Sequence, residues 1–148
     1  MPEKKTIKRA RKDAREGKSP STQAGEFVRE EMEHVREGKH GARNTKQAIA
    51  IGLSKARRAG VKLPQPKEGS EKTKAQARRD TKKAETGSGK TSAARSRATS
   101  RALKQEGHSA ASHSSLSRQA RSSARHRTSE SRSSAARRAA GTRARHRS

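Results

Sequence analysis

The sequence predicts a mostly α-helical protein: a small helical hairpin with basic arms that are largely disordered or conditionally helical. Only thirteen of the 148 residues are Val, Ile, Leu, Met or Phe, and eleven of these lie before residue 64. So low an apolar content cannot offset the chain entropy lost in ordering a core of ordinary size. We therefore expect one small folded unit, in the first half of the chain.

A repeated tetrapeptide marks the predicted helix ends. REGK occurs at 15–18 and again at 36–39, and QEGH follows at 105–108. In each copy a Gly follows a polar helix-forming run, and helices commonly end with such a Gly in the left-handed conformation. These positions divide the chain into helical pieces.

Three helices follow from these signals in the first half of the chain. The first covers about 3–16, and the second covers about 19–37 with a Ser N-cap and Pro at its first helical position. The third covers about 44–60, with an Asn N-cap, Gln47 in capping-box register and Val61 placed for a Schellman contact. The second and third helices, joined by a short polar turn, form an αα-hairpin.

The chain is predicted to have four parts. Residues 1–18 form a basic helix or arm, 19–64 the hairpin domain, 65–90 a flexible linker with a polar helix at 71–85, and 91–148 a Ser/Ala/Arg-rich basic tail. The last 42 residues contain ten Arg, no Lys and a single acid. The tail contains no Pro to forbid helix and no bulky apolar face to hold one in place. We expect it to be disordered when free and helical once its Arg repulsion is neutralised.

The net charge of +25 is the strongest functional signal in the sequence. So much like charge opposes compaction and favours a polyanionic partner. With no Trp, no Tyr and one Phe, the chain lacks the stacking platforms of single-strand binders. Phosphate contacts by Lys and Arg carry little sequence information. The expected function is sequence-tolerant binding of duplex DNA by a nucleoid-associated, histone-like protein, with DNA favoured over RNA.

The candidate phosphate-binding residues share a cationic side chain in a stretch that is poor in acids. Arg binds phosphate through a planar fork of N–H donors, and the first tail members are at helical spacing. The candidates are Arg118, Arg121, Arg125, Arg137, Arg138, Arg143, Arg145, Arg147, Lys55, Arg57 and Arg58.

One acidic segment supports an alternative function. Residues 26–37, EFVREEMEHVRE, hold five Glu against two Arg. They are either ordinary helix-surface charge, partly paired with Arg29 and Arg36 at i+3 and i+4, or a docking face for a protein partner. In the second case the protein is an interaction module, and its basic tail serves as a tether to RNA, the ribosome or the nucleoid.

Other kinds of site are not expected. The chain has no Cys, and its six His show no metal-ligand spacing, so no metal site and no cofactor are predicted. No rigid scaffold is available to hold a catalytic pair, and we do not expect an enzyme. No apolar run approaches the roughly 18 residues of a membrane span. We therefore expect a cytoplasmic, nucleoid-associated protein without a membrane partner.

Part of the hairpin resembles a known family. MEHVREGKH at 32–40, followed by NTKQAIAIGLSKARRAGVKLP at 44–64, is similar to the motif of a bacterial family catalogued as a domain of unknown function. The tail resembles extensions seen on some members and, more loosely, the tails of bacterial histone-like proteins. The resemblance implies a bacterial cytoplasmic setting and a helical hairpin, but no activity. The matching positions are Met32, Val35, Gly38, Lys39, Lys46, Gln47, Ala48, Ile49, Ala50, Ile51, Leu53, Ser54, Ala56, Arg57, Arg58 and Gly60.

A formal phosphate-loop match occurs in the linker. Residues 84–91, AETGSGKT, satisfy the relaxed pattern, with Lys90 in the lysine position. A working phosphate loop joins a buried hydrophobic strand to a helix. The preceding AQARRDTKK contains no large apolar residue and cannot form such a strand. We interpret the match as a flexible basic linker that arose by chance.

Specific nucleotide binding is therefore not expected. Titration of the protein with magnesium-ATP or magnesium-GTP in a calorimeter should give only weak heat that disappears as salt is raised, because nothing holds the loop around a phosphate. A micromolar site that is lost in Lys90→Ala would contradict this prediction.

Overall fold

The computed structural model describes residues 1–87 and 91–147, and every regular element within them is a helix. The mostly α-helical class is thus confirmed. The chain divides after Ser112 into two compact units, later than the predicted start of the tail at residue 91. The helices are α1 (Lys4–Arg15), α2 (Pro20–Arg36), α3 (Thr45–Arg58), α4 (Glu71–Thr86), α5 (Ala93–Lys104), α6 (His113–Arg125) and α7 (Ser129–Arg145), with one 3₁₀ turn at Ser109–Ala111.

The two REGK copies end their helices as predicted. Gly17 and Gly38 adopt left-handed φ angles of 71° and 72°. After α1, the N–H of Lys18 donates to the carbonyl of Asp13 at 3.0 Å, which is the long bond of a Schellman motif, and α2 closes in the same way. The prediction for the third copy was wrong. Gly107 has no positive φ, and α5 ends before it.

The starts of α2 and α3 are stabilised by side-chain caps. The Oγ of Ser19 accepts a hydrogen bond from the N–H of Thr22 at 3.4 Å, and the Oδ1 of Asn44 accepts from the N–H of Gln47 at 2.9 Å. The Gln47 side chain accepts in turn from the N–H of Arg43 at 2.6 Å, one residue earlier than in a standard capping box. The predicted N-caps of α2 and α3 are therefore confirmed.

The core of the first unit extends beyond the predicted hairpin. Helix α2 packs against α1 and α3, and α3 packs in turn against α4. Phe27, from α2, is the one aromatic side chain other than the histidines and is 1% exposed. Most of the remaining core is Ala, so the helices approach one another closely. One cluster around Phe27 consists of Ala10, Ala24, Phe27 and Ala56, with Ile7, Leu53, Val61 and Leu63 packed against it.

The segment after α5 returns to the turn between α2 and α3. The N–H of Ala42 donates to the carbonyl of Gly107 at 3.0 Å, and the hydroxyl of Thr45 donates to the carbonyl of Ala110 at 2.6 Å. Ala110 and Ala111 are both buried. This part of the predicted tail is therefore integrated into the first unit.

The second unit, from His113 onward, consists of helices α6 and α7, so the prediction of disordered basic arms is not supported. Its helix signals are local: Ala is the best helix former, and the hydroxyl of Thr128 accepts from the N–H of Ser131 at 3.1 Å to cap α7. Glu130 lies in the first turn of α7, where the helix dipole favours an acid. No residue of α6 or α7 is buried, so these helices form without an apolar core.

The crossing of α2 and α3 depends on one glycine. Gly52 is buried, and a Cβ added there would lie 2.7 Å from the Cα and 3.0 Å from the backbone nitrogen of Val28. Because backbone atoms cannot move aside as a flexible side chain can, only Gly allows this approach.

We predict that Gly52→Ala lowers the free energy of unfolding by about 1–3 kcal/mol, the usual cost of overpacking. Gly25→Ala in α2 is the matched control, since a Cβ there meets nothing within 4 Å. That change should raise stability by about 0.5–1 kcal/mol through helix propensity. Urea unfolding followed by circular dichroism measures both, and equal effects would contradict the close crossing.

Candidate nucleic-acid interface

All eight tail candidates lie in the second unit and are exposed. Arg118, Arg121 and Arg125 occur at i, i+3 and i+7 in α6, so they lie on one face along about 10 Å of its axis. The guanidinium of Arg118 donates to the Ser115 hydroxyl at 3.4 Å. Helix α6 therefore presents a row of three guanidinium groups on one face.

The other five tail candidates lie in α7 or directly after it. Arg138 and Arg145, seven residues apart, share one side of α7, whereas Arg143 lies about 140° further around the axis from Arg138. Glu130 is the one acidic residue that the sequence places in this unit. Helix α7 is therefore cationic around its circumference rather than along one face.

Lys55 is placed differently from the prediction. Its Nζ lies 2.6 Å from the Glu31 Oε2 and 3.3 Å from the Glu30 Oε1, and the side chain is 14% exposed. The ammonium of this α3 residue therefore faces two buried carboxylates of α2 rather than solvent. We call Glu30, Glu31 and Lys55 the buried ionic cluster.

Helix α1 also contributes to the buried ionic cluster through its N-terminal end. The backbone N–H of Glu3 donates to the Glu30 Oε2 at 3.0 Å. Burial raises the pKa of the Glu30 carboxyl, but hydrogen bonds from Thr6 and the Glu3 N–H, with the charge of Lys55, outweigh it and hold the pKa below its ordinary 4.5. Glu30 is therefore stabilised as an anion by two other segments, the N-terminal end of α1 and helix α3.

The side chains of Arg57 and Arg58 contact other groups of the first unit. The Arg58 Nε lies 3.6 Å from the Asp80 Oδ1 in α4, and the Asp80 Oδ2 accepts a 2.6 Å hydrogen bond from the Ser54 hydroxyl. The Arg57 guanidinium donates to the carbonyl of Pro64 at 3.2 Å. These contacts join α3 to α4 and to the segment that follows α3. The structure thus does not bring Lys55, Arg57 and Arg58 together as one exposed basic patch.

The acidic segment of α2 is largely turned inward. Glu26 forms an ion pair with Arg9 of α1, and two further Glu belong to the buried ionic cluster. Glu37 pairs with Lys39 at 2.9 Å, and Glu33 is exposed. The five Glu therefore do not form a continuous exposed acidic face of the kind that the protein-interaction alternative requires.

One grouping was missed by the sequence analysis. Glu31, His34 and His40 have ligand atoms within 4.8 Å of one another. The Glu-x-x-His spacing of the first two, one turn apart on a helix, was the available signal. The third member is brought to them by the turn that follows α2.

The phosphate-loop match cannot be placed as a whole, because residues 88–90 lie outside the described residues. The part before them is α4, which ends at Thr86. A helix therefore precedes the match, where a working phosphate loop has a strand.

The structure predicts different effects for two lysines of α3. Lys55→Met should lower the free energy of unfolding by about 3–5 kcal/mol at neutral pH, because it leaves buried carboxylates without a counter-charge. Lys46→Met should change it by less than about 0.5 kcal/mol, because Lys46 is exposed. Urea unfolding of the two variants measures the difference.

The Lys55→Met effect should also shrink in acid. The pKa of Glu30 is lowered by folding, so its stabilising contribution is present above its ordinary 4.5 and is lost as the pH falls below that value. The wild type and Lys55→Met should therefore converge as acid is added. Equal stability of the two lysine variants at neutral pH would contradict a structural role for Lys55.

Comparison with known protein families gives a match to part of the first unit. Residues 18–68 match the model of a family of unknown function, DUF6496. That range contains α2, α3 and the buried ionic cluster, and it ends before α4. No curated protein and no solved structure matches the chain. Over residues 1–87 and 91–147, none of the helices has the length and apolar character needed to span a bilayer.

Proposed function

We propose that the second unit binds duplex DNA through its phosphates, without reading base sequence, as part of a nucleoid-associated, histone-like protein of the bacterial cytoplasm. One observation carries the proposal: this unit has ten Arg and a single acid, and its eight candidate Arg are exposed, seven of them on α6 and α7 and Arg147 directly after α7. The helices set the spacing of the Arg side chains, and the charges of these side chains provide the affinity for DNA phosphates.

Charge balance within the two units supports a polyanionic partner for the second. The first unit contains thirteen of the fourteen acids, and many of its cations form ion pairs, including those at Asp13, Glu26 and Asp80. The second unit has only Glu130 to balance its Arg. A phosphate backbone supplies the missing negative charge, and binding gains free energy from the counterions it releases.

The geometry favours a duplex over a single strand. Phe27, the one aromatic residue other than the histidines, is buried in the first unit, so no exposed Phe, Tyr or Trp is available to stack on bases. The 17 residues of α7 extend about 25 Å, and the major groove of DNA is wide enough for an α-helix. A helix with Arg around its circumference can contact phosphates on both walls of a groove, whichever way it is rotated.

The test is the salt dependence of duplex binding by the full-length protein. If the eight tail Arg each neutralise one phosphate, the logarithm of the affinity should fall with the logarithm of the salt concentration at a slope of about −7. Affinity should change little between unrelated DNA sequences and should be higher for DNA than for an RNA duplex of matched sequence. Fluorescence anisotropy over a salt series measures all three quantities.

Two Gln variants, each of which loses eight cations, distinguish a specific interface in the tail from a general effect of positive charge. Replacing the eight tail Arg by Gln should abolish most binding and flatten the slope, whereas replacing them by Lys should retain much of it. The control removes eight exposed cations from the first unit and should leave the slope near its wild-type value. A wild-type slope near −2, or an equal loss of DNA affinity in the two Gln variants, would contradict the proposal and favour the interaction-module alternative. The control substitutes Gln at Lys4, Lys5, Lys8, Arg11, Arg15, Lys46, Lys72 and Lys82.

A further inference from the structure

Two histidines and a glutamate meet at the C-terminal end of α2. Glu31 and His34 lie one turn apart on the helix, and His40 reaches them after the chain reverses at Gly38. One ligand atom from each residue lies within 4.8 Å of those of the other two. The two imidazole rings meet edge to face, with centroids 5.9 Å apart.

The three side chains are withdrawn from solvent. The exposed fraction is 1% for Glu31, 13% for His34 and 16% for His40. A carboxylate at this depth is costly unless cations or hydrogen-bond donors surround it. The grouping is therefore unlike the exposed acidic clusters that occur on many protein surfaces.

Hydrogen bonding sets the protonation of His40. Its Nδ1 lies 3.0 Å from the carbonyl oxygen of Gly41, and a carbonyl can only accept, so Nδ1 carries the proton. In the neutral ring the Nε2 then presents a lone pair, and it lies 2.9 Å from the Oε1 of Glu31. Two acceptor atoms at this distance need either a shared proton, carried by His40 or by Glu31, or a metal ion between them.

Outer contacts orient the ligand groups. The Nε2 of His34 lies 3.0 Å from the Oε1 of Glu3, and the Nζ of Lys55 lies 2.6 Å from the Oε2 of Glu31. Metal-binding His residues usually donate their second N–H to a carboxylate or carbonyl, and here both rings have such an acceptor. Lys55 occupies one Glu31 oxygen and leaves the other directed to His40.

We propose that Glu31, His34 and His40 bind one divalent transition-metal ion of the zinc type. Two imidazoles and one carboxylate suit Zn²⁺ and Co²⁺, whereas Mg²⁺ and Ca²⁺ prefer oxygen ligands alone. Zn²⁺ bound at about 2.1 Å would hold its ligand atoms about 3.4 Å apart, so binding requires the 2.9 Å contact between His40 and Glu31 to widen and the His34 ligand atom, now within 4.8 Å of the others, to complete the set. Three protein ligands leave a fourth position for water or an external group.

Such an ion would tie the turn after α2 to the body of that helix. The same turn receives the segment that follows α5, through the hydrogen bond from the N–H of Ala42 to the carbonyl of Gly107. The site thus lies where the predicted hairpin and the returning segment meet, and its occupancy should raise the thermal stability of the first unit by mass action.

The test is titration of the metal-free, full-length protein with Co²⁺, read by its visible d–d absorption, followed by displacement with Zn²⁺. We expect one ion per chain, with an intense spectrum typical of four-coordinate cobalt. His34→Gln and His40→Gln should each weaken binding by about 10-fold or more, while His126→Gln, in the second unit, should bind like the wild type. Circular dichroism of the metal-free variants checks that they are folded.

A direct ligand assignment comes from His40→Cys. The chain contains no Cys, so a thiolate-to-cobalt charge-transfer band in the near ultraviolet can arise only from position 40. Appearance of this band supports the site even if His40→Gln fails to fold. Its absence, equal binding by His40→Gln and His126→Gln, or no uptake of Co²⁺ by the wild type would overturn the proposal and leave His40 and Glu31 in direct contact without an ion.

Discussion

The ammonium of Lys55, held between Glu30 and Glu31, is the contact on which the first unit depends most. Taking a charged group out of water costs several kcal/mol per ion, and that cost is offset only when every member keeps its partners. The Glu30 carboxylate also accepts a hydrogen bond from the backbone N–H of Glu3, so the position of α1 depends on the same ionic cluster. With Phe27 as its one aromatic residue and mostly Ala around it, the core has little apolar area in reserve. Removing one ion therefore affects three helices at once.

Ion pairing also explains why the two units of so cationic a chain differ. In the first unit, acids and bases lie face to face across helix contacts, as Asp80 does with Arg58. The cations in these pairs thus contribute to the fold. In the second unit a single Glu stands against ten Arg, and helices without a buried residue display that charge. This contrast supports assigning the proposed DNA binding to the second unit rather than to the basic end of α3.

The sequence could predict only part of the candidate site. Exposure of Arg118 or Arg138 was predictable, since an Arg among Ser and Ala has no apolar surface or acid nearby to hold it. Lys55 stands in an equally basic run, SKARR, but its partners come from α2, more than twenty residues earlier. The sequence also did not show that His40 approaches Glu31, because this contact requires the chain to reverse between them.

The sequence by itself determined where most helices of the first unit begin and end. Capping and Schellman hydrogen bonds connect residues within about six positions, so Ser19, Asn44 and the two REGK copies specify their helix ends wherever the helices lie. Tertiary structure alone decided the direction of the Lys55 side chain and the return of the segment after α5 to Ala42. Such contacts join residues far apart in sequence. They form only when two surfaces meet, and the burial that follows then sets the partners that each charge must keep.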